Sequence, residues 1–115
     1  MKLAVCISGR AEADLTNQYR WFLDNAGVGI AERFLRAFDA TVSRLARMPS
    51  LGRLRRFHAP ELGGMRSFPV GGGFGSHLIF YRLTEEVLSI ERIMHGARDL
   101  EPRLLEPPEQ PLARD

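Results

Sequence analysis

The residues best placed to do chemistry are His95, Arg98 and Asp99, within Arg92-Ile93-Met94-His95-Gly96-Ala97-Arg98-Asp99. An imidazole titrates near neutrality and can serve as acid or base. A guanidinium such as Arg98 can hold a phosphate or carboxylate through paired hydrogen bonds. Arg66, Arg82 and Arg92 fall on three successive strand-like segments. Sharing one face of a sheet, with Tyr81 and His95 nearby, they would form a cationic surface able to cut RNA. That reaction needs a base for the 2′-hydroxyl, cations for the charge developing on phosphate, and an acid for the leaving oxygen. The alternative is structural. Asp99 then pairs with Arg98 or caps a turn, and His95 satisfies a buried hydrogen bond. The arginines then pair with Glu85, Glu86 or Glu91, close in sequence. Spacing favours this alternative, and it does not fix which face Arg82 and Arg92 take.

Other chemistries find no support. Ser67, Ser76 and Ser89 lack the context of an activated nucleophile. The glycine-rich stretch from Gly71 to Gly75 lacks the lysine and Ser/Thr of a phosphate-binding loop and reads as a flexible strand connection. His58, His77 and His95 are scattered singly, so no metal site is expected, and no cofactor. The lone Cys6 excludes an internal disulfide. The apolar runs are too short to span a bilayer, and no signal peptide is visible. A soluble, cytoplasmic, single-domain protein is expected from 115 residues with 44% hydrophobic and 26% charged composition.

The elements that must position these residues follow from pattern. Lys2 to Ile7 predicts a first strand. Ser8 is a candidate N-cap for a helix carrying Ala11, Leu15, Gln18 or Tyr19, and Phe22 on one face. Glu12 and Asp14 sit in its first turn, where the helix dipole favours acids. Gly27 suits the helix stop. A second helix places Ile30, Phe34, Phe38 or Ala37, Val42 and Leu45 on its stripe and ends at Met48, before Pro49. The Gly27-Val28-Gly29 link predicts an antiparallel helical hairpin. Residues 49–63 read as an exposed, irregular connection. Strands are expected over Met65 to Val70, Ser76 to Leu83 and Val87 to Met94, the last two as a hairpin around Thr84-Glu85-Glu86. Apolar residues on both faces of those two predict central strands with a helix layer on one side. From Glu101 on, Pro102, Pro107, Pro108 and Pro111 argue against regular structure and for a mobile tail. The expected fold is α+β, a β-α-α-β-β-β domain over residues 1–100 with a Pro-rich tail over 101–115. An antiparallel-rich sheet packs on the helical hairpin.

Charge is unevenly spread. Residues 1–58 carry Lys2 and nine arginines against five acids, whereas residues 101–115 carry two arginines against four acids. Arg44, Arg47, Arg53, Arg55 and Arg56 fall within thirteen residues that contain no acid. Such a patch suits an anionic partner, either nucleic acid or an acidic protein segment.

Taken in order, these features resemble the ParE branch of the RelE/ParE superfamily, the toxins of type II toxin–antitoxin modules. The likeness runs over residues 3–100. It begins at Ser8-x-x-Ala11-x-x-Asp14-Leu15 and continues through Tyr19, Phe34 and Leu45-x-x-x-Pro49-x-x-Gly52. It then takes in Gly64-Met65-Arg66-Ser67-Phe68, Ile79-Phe80-Tyr81-Arg82 and the ending Ile90-x-x-Ile93-Met94-His95-Gly96-Ala97-Arg98-Asp99. The resemblance implies a plasmid stabilisation-like toxin neutralised by a ParD-like antitoxin whose disordered segment folds on binding. ParE-type members are described as non-catalytic poisons of DNA gyrase, and RelE-type members as ribosome-dependent mRNA interferases. The RelE pattern resembles a set of lysines and arginines on the sheet with a C-terminal tyrosine or histidine. Here Lys2 is the only lysine and no tyrosine follows the last strand. The resemblance therefore implies a gyrase inhibitor rather than an enzyme. The alternatives are an mRNA endoribonuclease using Arg66, Arg92 and His95, or an inactive toxin-like binding domain. Partner and target contacts are expected at the outer face of the helical hairpin and at Arg53, Arg55, Arg56, Arg66, Arg82, His95 and Arg98.

Overall fold

The computed structural model describes residues 2–109. Strand β1 (Ala4–Ile7) leads into helix α1 (Gly9–Ala26), whose N-cap is Ser8: its Oγ accepts the Ala11 N–H at 3.1 Å. Gly27 alone separates α1 from α2 (Val28–Arg47), at φ 93°, a left-handed value that favours glycine. The hairpin link is thus one residue, shorter than the three expected, because Val28 and Gly29 already belong to α2. Met48 caps α2 ahead of Pro49, and Pro49–Leu51 forms a single 3₁₀ turn.

The sheet continues with β2 (Arg53–Leu54), β3 (Arg66–Pro69), β4 (His77–Thr84) and β5 (Val87–His95). Strand β2 lies inside the segment read as irregular. Its two residues are too few to leave a periodic signal. The strand order is β1-β5-β4-β3-β2. Strand β1 pairs parallel with β5, and the other three pairings are antiparallel.

Register sets the faces. Ile79 and Tyr81 of β4, with Leu88, Ile90 and Ile93 of β5, pack on Phe38, Val42 and Leu45 of α2 in the main core. A bulge interrupts β5: Tyr81 opposes Ile90, but Phe80 opposes Arg92, leaving Glu91 as the extra residue. The bulge turns Arg92 and Met94 to the opposite face. There Phe80 and Met94 pack with Leu62, Met65, Leu100 and Leu104 in a second core.

That second core corrects two expectations. The central strands are covered on both faces rather than one, because a third helix, α3 (Leu100–Leu105), closes the far side. The prolines of the tail do not prevent it. Pro102 lies in the first turn, where a helix leaves its N–H groups unbonded, so a residue lacking that donor loses nothing. Leu100 and Leu104 are buried, and the Glu101 carboxylate accepts the His58 and Ala59 N–H groups at 3.0 and 2.8 Å. The boundary expected at residue 100 therefore falls inside α3. Gln110 to Asp115, the rest of the expected tail, lie outside the described residues.

Candidate functional site

The three arginines of the strands do not face one way. Arg66 opposes Tyr81 and so shares the helix-hairpin face, while Arg82 and Arg92 lie on the α3 face. Arg66 donates to the Gly52 carbonyl at 2.7 Å. Arg82 donates to the Gly63 carbonyl at 2.9 Å and to the Glu61 carbonyl, and lies 4.0 Å from the Glu91 carboxylate.

Arg92 is buried. Its Nε and Nη2 donate to the two oxygens of Asp14 at 2.7 and 3.1 Å. Its Nη1 donates to the carbonyls of Arg103, Leu104 and Glu106 at 3.3, 3.1 and 2.6 Å. The Asp14 carboxylate also accepts the Ile93 N–H at 3.0 Å. Strand β1 ends opposite Ile90, so the exposed edge of β5 beyond that point is satisfied by α1 side chains. Asp14 does this, and so does Gln18, whose Nε2 donates to the Ile93 carbonyl at 2.8 Å. Asp14, read in sequence as a residue serving the helix dipole, is instead the buried counter-ion of Arg92. The signal lay in its position: three residues after Ala11 and four before Gln18, it falls on the buried stripe, where an acid needs a cation.

Tyr81 is also structural. It is fully buried, its hydroxyl donating to the Pro49 carbonyl at 2.7 Å and accepting the Gly52 N–H at 2.8 Å. Burial raises its pKa above the ordinary phenol value, opposed in part by the Gly52 hydrogen bond. It cannot present a hydroxyl to a phosphate at the surface.

His95 ends β5, opposite His77 at the start of β4, with ring centroids 4.7 Å apart. It is exposed, so the expected buried hydrogen bond is not its role. His77 is the buried member. Its Nδ1 lies 2.9 Å from Gln18 Oε1, and its ring packs on Phe34 and Phe22. Burial, with a smaller contribution from His95, lowers its pKa to about 4. Arg98 is exposed, and its carbonyl accepts a 2.8 Å bond from Arg103; the Asp99 side chain makes no capping hydrogen bond at the start of α3.

Arg66, Arg92 and His95 therefore do not converge. Arg66 and Arg92 are on opposite faces. Arg66 and His95 pair with Tyr81 and His77, four residues apart along β4, a separation of roughly 13 Å along the strand alone.

The arginines that do converge are at the other end of the sheet. Arg53 pairs with Ser67 on edge strand β2, and the Arg55 Nη1 donates to Ser67 Oγ at 3.2 Å. The Arg55 guanidinium lies 5.6 Å from the Phe57 ring, and burial together with the nearby Arg53 charge lowers its pKa. Arg44, in the last turn of α2, sits 5.7 Å from the Phe68 ring of β3. Among the described residues, no carboxylate lies within 4.0 Å of Arg44, Arg47, Arg53, Arg55, Arg56 or Arg66. This rim is an uncompensated cationic surface suited to an anionic partner. Also among the described residues, no group of three or more His, Cys, Asp or Glu side chains could hold a metal ion, and no helix is long and apolar enough to cross a membrane.

Comparison with known proteins places this geometry. A family model described as the ParE toxin of the type II toxin–antitoxin system parDE matches residues 5–100. Toxin ParE1 of Mycobacterium tuberculosis is 31% identical over 99 residues, covering 85% of this chain and 94% of that protein. Among solved structures, a chain of the chromosomal ParDE toxin–antitoxin system of P. aeruginosa superposes with a TM-score of 0.67 at 19% identity, over 84% of this chain and 98% of its own. A chain of the RelBE2 toxin–antitoxin complex of M. tuberculosis gives 0.53 at 20% identity, over 83% and 99%.

Proposed function

Because the chain belongs to the ParE toxin family of type II toxin–antitoxin systems, we propose that it arrests growth by binding DNA gyrase rather than by cutting RNA. What carries this reading is the scattering of Arg66, Arg92 and His95. Phosphoester cleavage needs its base and its cations within hydrogen-bonding reach of one phosphate. Here one cation is buried against Asp14 and another lies across the sheet from it. A toxin without an assembled catalytic set acts by occupying a target.

A cognate ParD-like antitoxin silences it. The fold relatives from P. aeruginosa and M. tuberculosis come from ParDE and RelBE2 toxin–antitoxin systems. The antitoxin's acidic segment folds against the outer face of the α1–α2 hairpin and the β2 rim, where Arg53, Arg55 and Arg56 supply positive charge with no carboxylate within 4.0 Å among the described residues. Arg66, Arg82, His95 and Arg98 remain candidate contacts for the target.

The test is induced expression in a bacterial host. The reading expects growth arrest with cleaved chromosomal DNA and full-length transcripts, relieved by co-expressing the antitoxin. Fragmented transcripts that become intact with His95→Ala would overturn it in favour of an mRNA interferase. Normal growth with soluble protein confirmed would identify an inactive toxin-like binding domain.

A further inference from the structure

A cavity of about 510 Å³ opens between α1 and the loop joining β3 to β4. Of its lining residues only His95 is also a candidate target contact, and the cavity is lined on most sides by aromatic rings. Trp21, Phe22, His77 and His95 form a run in which each ring touches the next, at centroid distances of 5.4, 5.5 and 4.7 Å. Phe74 joins from the loop, edge-on to Phe22 at 5.4 Å. The two ends of the run, Trp21 and His95, are both exposed and both line the cavity. Trp21 is 60% exposed, a large apolar ring on a helix surface with an open cavity beside it.

Among the described residues, no Asp, Glu, Lys or Arg lines the cavity. His77, the deeper imidazole, is neutral at pH 7 because burial holds its pKa near 4. A charged guest would therefore lose its hydration with no counter-ion in return. Polar groups do line it: Asn17, Gln18 and Ser76. The Gln18 amide is fixed by the Ile93 carbonyl on one side and His77 Nδ1 on the other, at 2.8 and 2.9 Å. An apolar cavity with a few oriented polar groups and a perturbed histidine is the usual form of a small-ligand site, and its volume falls in the range of roughly 300–1,000 Å³ such sites occupy. Aromatic walls favour a flat aromatic guest, which can stack offset on one ring and meet others edge-on.

We propose that this cavity binds one neutral, planar aromatic ring bearing hydrogen-bonding groups on its edge. The ring is the base of a nucleoside, whose edge donors and acceptors suit the amide and hydroxyl groups of Asn17, Gln18 and Ser76. The inference is independent of the toxin's cellular target.

The experiment is a titration of the isotope-labelled full chain at pH 7, followed by NMR amide and indole shifts. The probes are adenosine, N-acetyl-tryptophanamide and cyclohexanol. The proposal expects saturable shifts at the Trp21 indole N–H, Gly73 and Ser76 with adenosine below about 1 mM. Adenosine should bind about tenfold or more tightly than N-acetyl-tryptophanamide; the reverse preference would make the occupant an aromatic peptide residue and overturn the proposal. Trp21→Ala, at an exposed helix position, leaves the remaining spectrum in place and weakens binding at least about fivefold. Ser76→Phe, which fills the mouth from an exposed position, blocks it. Three further results would overturn it: no saturable shift at these residues with adenosine, equal binding of cyclohexanol, or unchanged affinity in either variant.

Discussion

Replacing Asp14 by alanine would remove the partner of the one buried ion pair described in the protein. The Arg92 and Asp14 side chains are 6% and 8% exposed, with Nε and Oδ2 2.7 Å apart. The alanine variant leaves a guanidinium inside the protein without a counter-ion and strips the Ile93 N–H of its acceptor. Breaking a buried pair from one side costs about 3–5 kcal/mol. A domain of this size has about 5–15 kcal/mol in total, so roughly a fifth or more of the stability is at stake. At roughly 4 °C per kcal/mol, the melting temperature should fall by about 12–20 °C. Urea unfolding of the wild type, Asp14→Ala, Arg92→Met and the double variant Asp14→Leu/Arg92→Met measures this. The double variant should be less destabilised than the two single variants added together, by about 2 kcal/mol or more, because it leaves no lone charge. A loss below about 1 kcal/mol in Asp14→Ala, with an unchanged denaturant slope, would refute the reasoning. The pair would then be solvated and not a buried tie between α1, β5 and α3.

Other outcomes follow from the same contacts. Tyr81→Phe leaves the Gly52 N–H and Pro49 carbonyl without their hydroxyl partner and should lower unfolding free energy by about 1–3 kcal/mol. Gly52→Ala should destabilise at least as much, since an added Cβ would stand 2.2 Å from the Tyr81 hydroxyl; equal stability of wild type and Gly52→Ala would contradict that packing. His77 has a folded pKa of about 4 against an ordinary 6.5, so the unfolded chain binds the extra proton. Its contribution is complete above pH 6.5 and is lost as pH falls toward 4. The upper limit of about 3 kcal/mol is reduced by solvent at the cavity mouth to about 1–2 kcal/mol, and the slope in that window should flatten in His77→Phe. Reversing Arg53, Arg55 and Arg56 to glutamate should weaken antitoxin binding by about tenfold to a hundredfold at low salt and reduce its salt dependence; isothermal titration showing unchanged affinity at low salt would remove the rim from the interface.

Much of the fold was legible because its signals are local. Ser8 as an N-cap, Gly27 as a helix stop and Pro49 as a terminator each act within a turn of their own position. The site was less legible because its contacts are long-range. Asp14 and Arg92 are 78 residues apart in the chain. Strict alternation along β5 would put Ile90 and Arg92 on one face, and a single extra residue at Glu91 reverses that. Helix α3 was masked by proline content, although Pro102 occupies the one turn that tolerates it. Its reward is tertiary, the burial of Leu100 and Leu104 on the second sheet face, and no local propensity reports that. The basic rim, by contrast, was visible as an acid-free run of arginines, because a patch built on one continuous segment keeps its composition when it folds.

The proposed action of this toxin is the binding of DNA gyrase. The most direct measurement adds the purified chain to purified gyrase and plasmid DNA, scoring supercoiling and trapped cleaved DNA together. The expected result is loss of supercoiling with accumulation of cleaved DNA, both abolished by the antitoxin. Supercoiling left untouched by a large excess of folded toxin would contradict it.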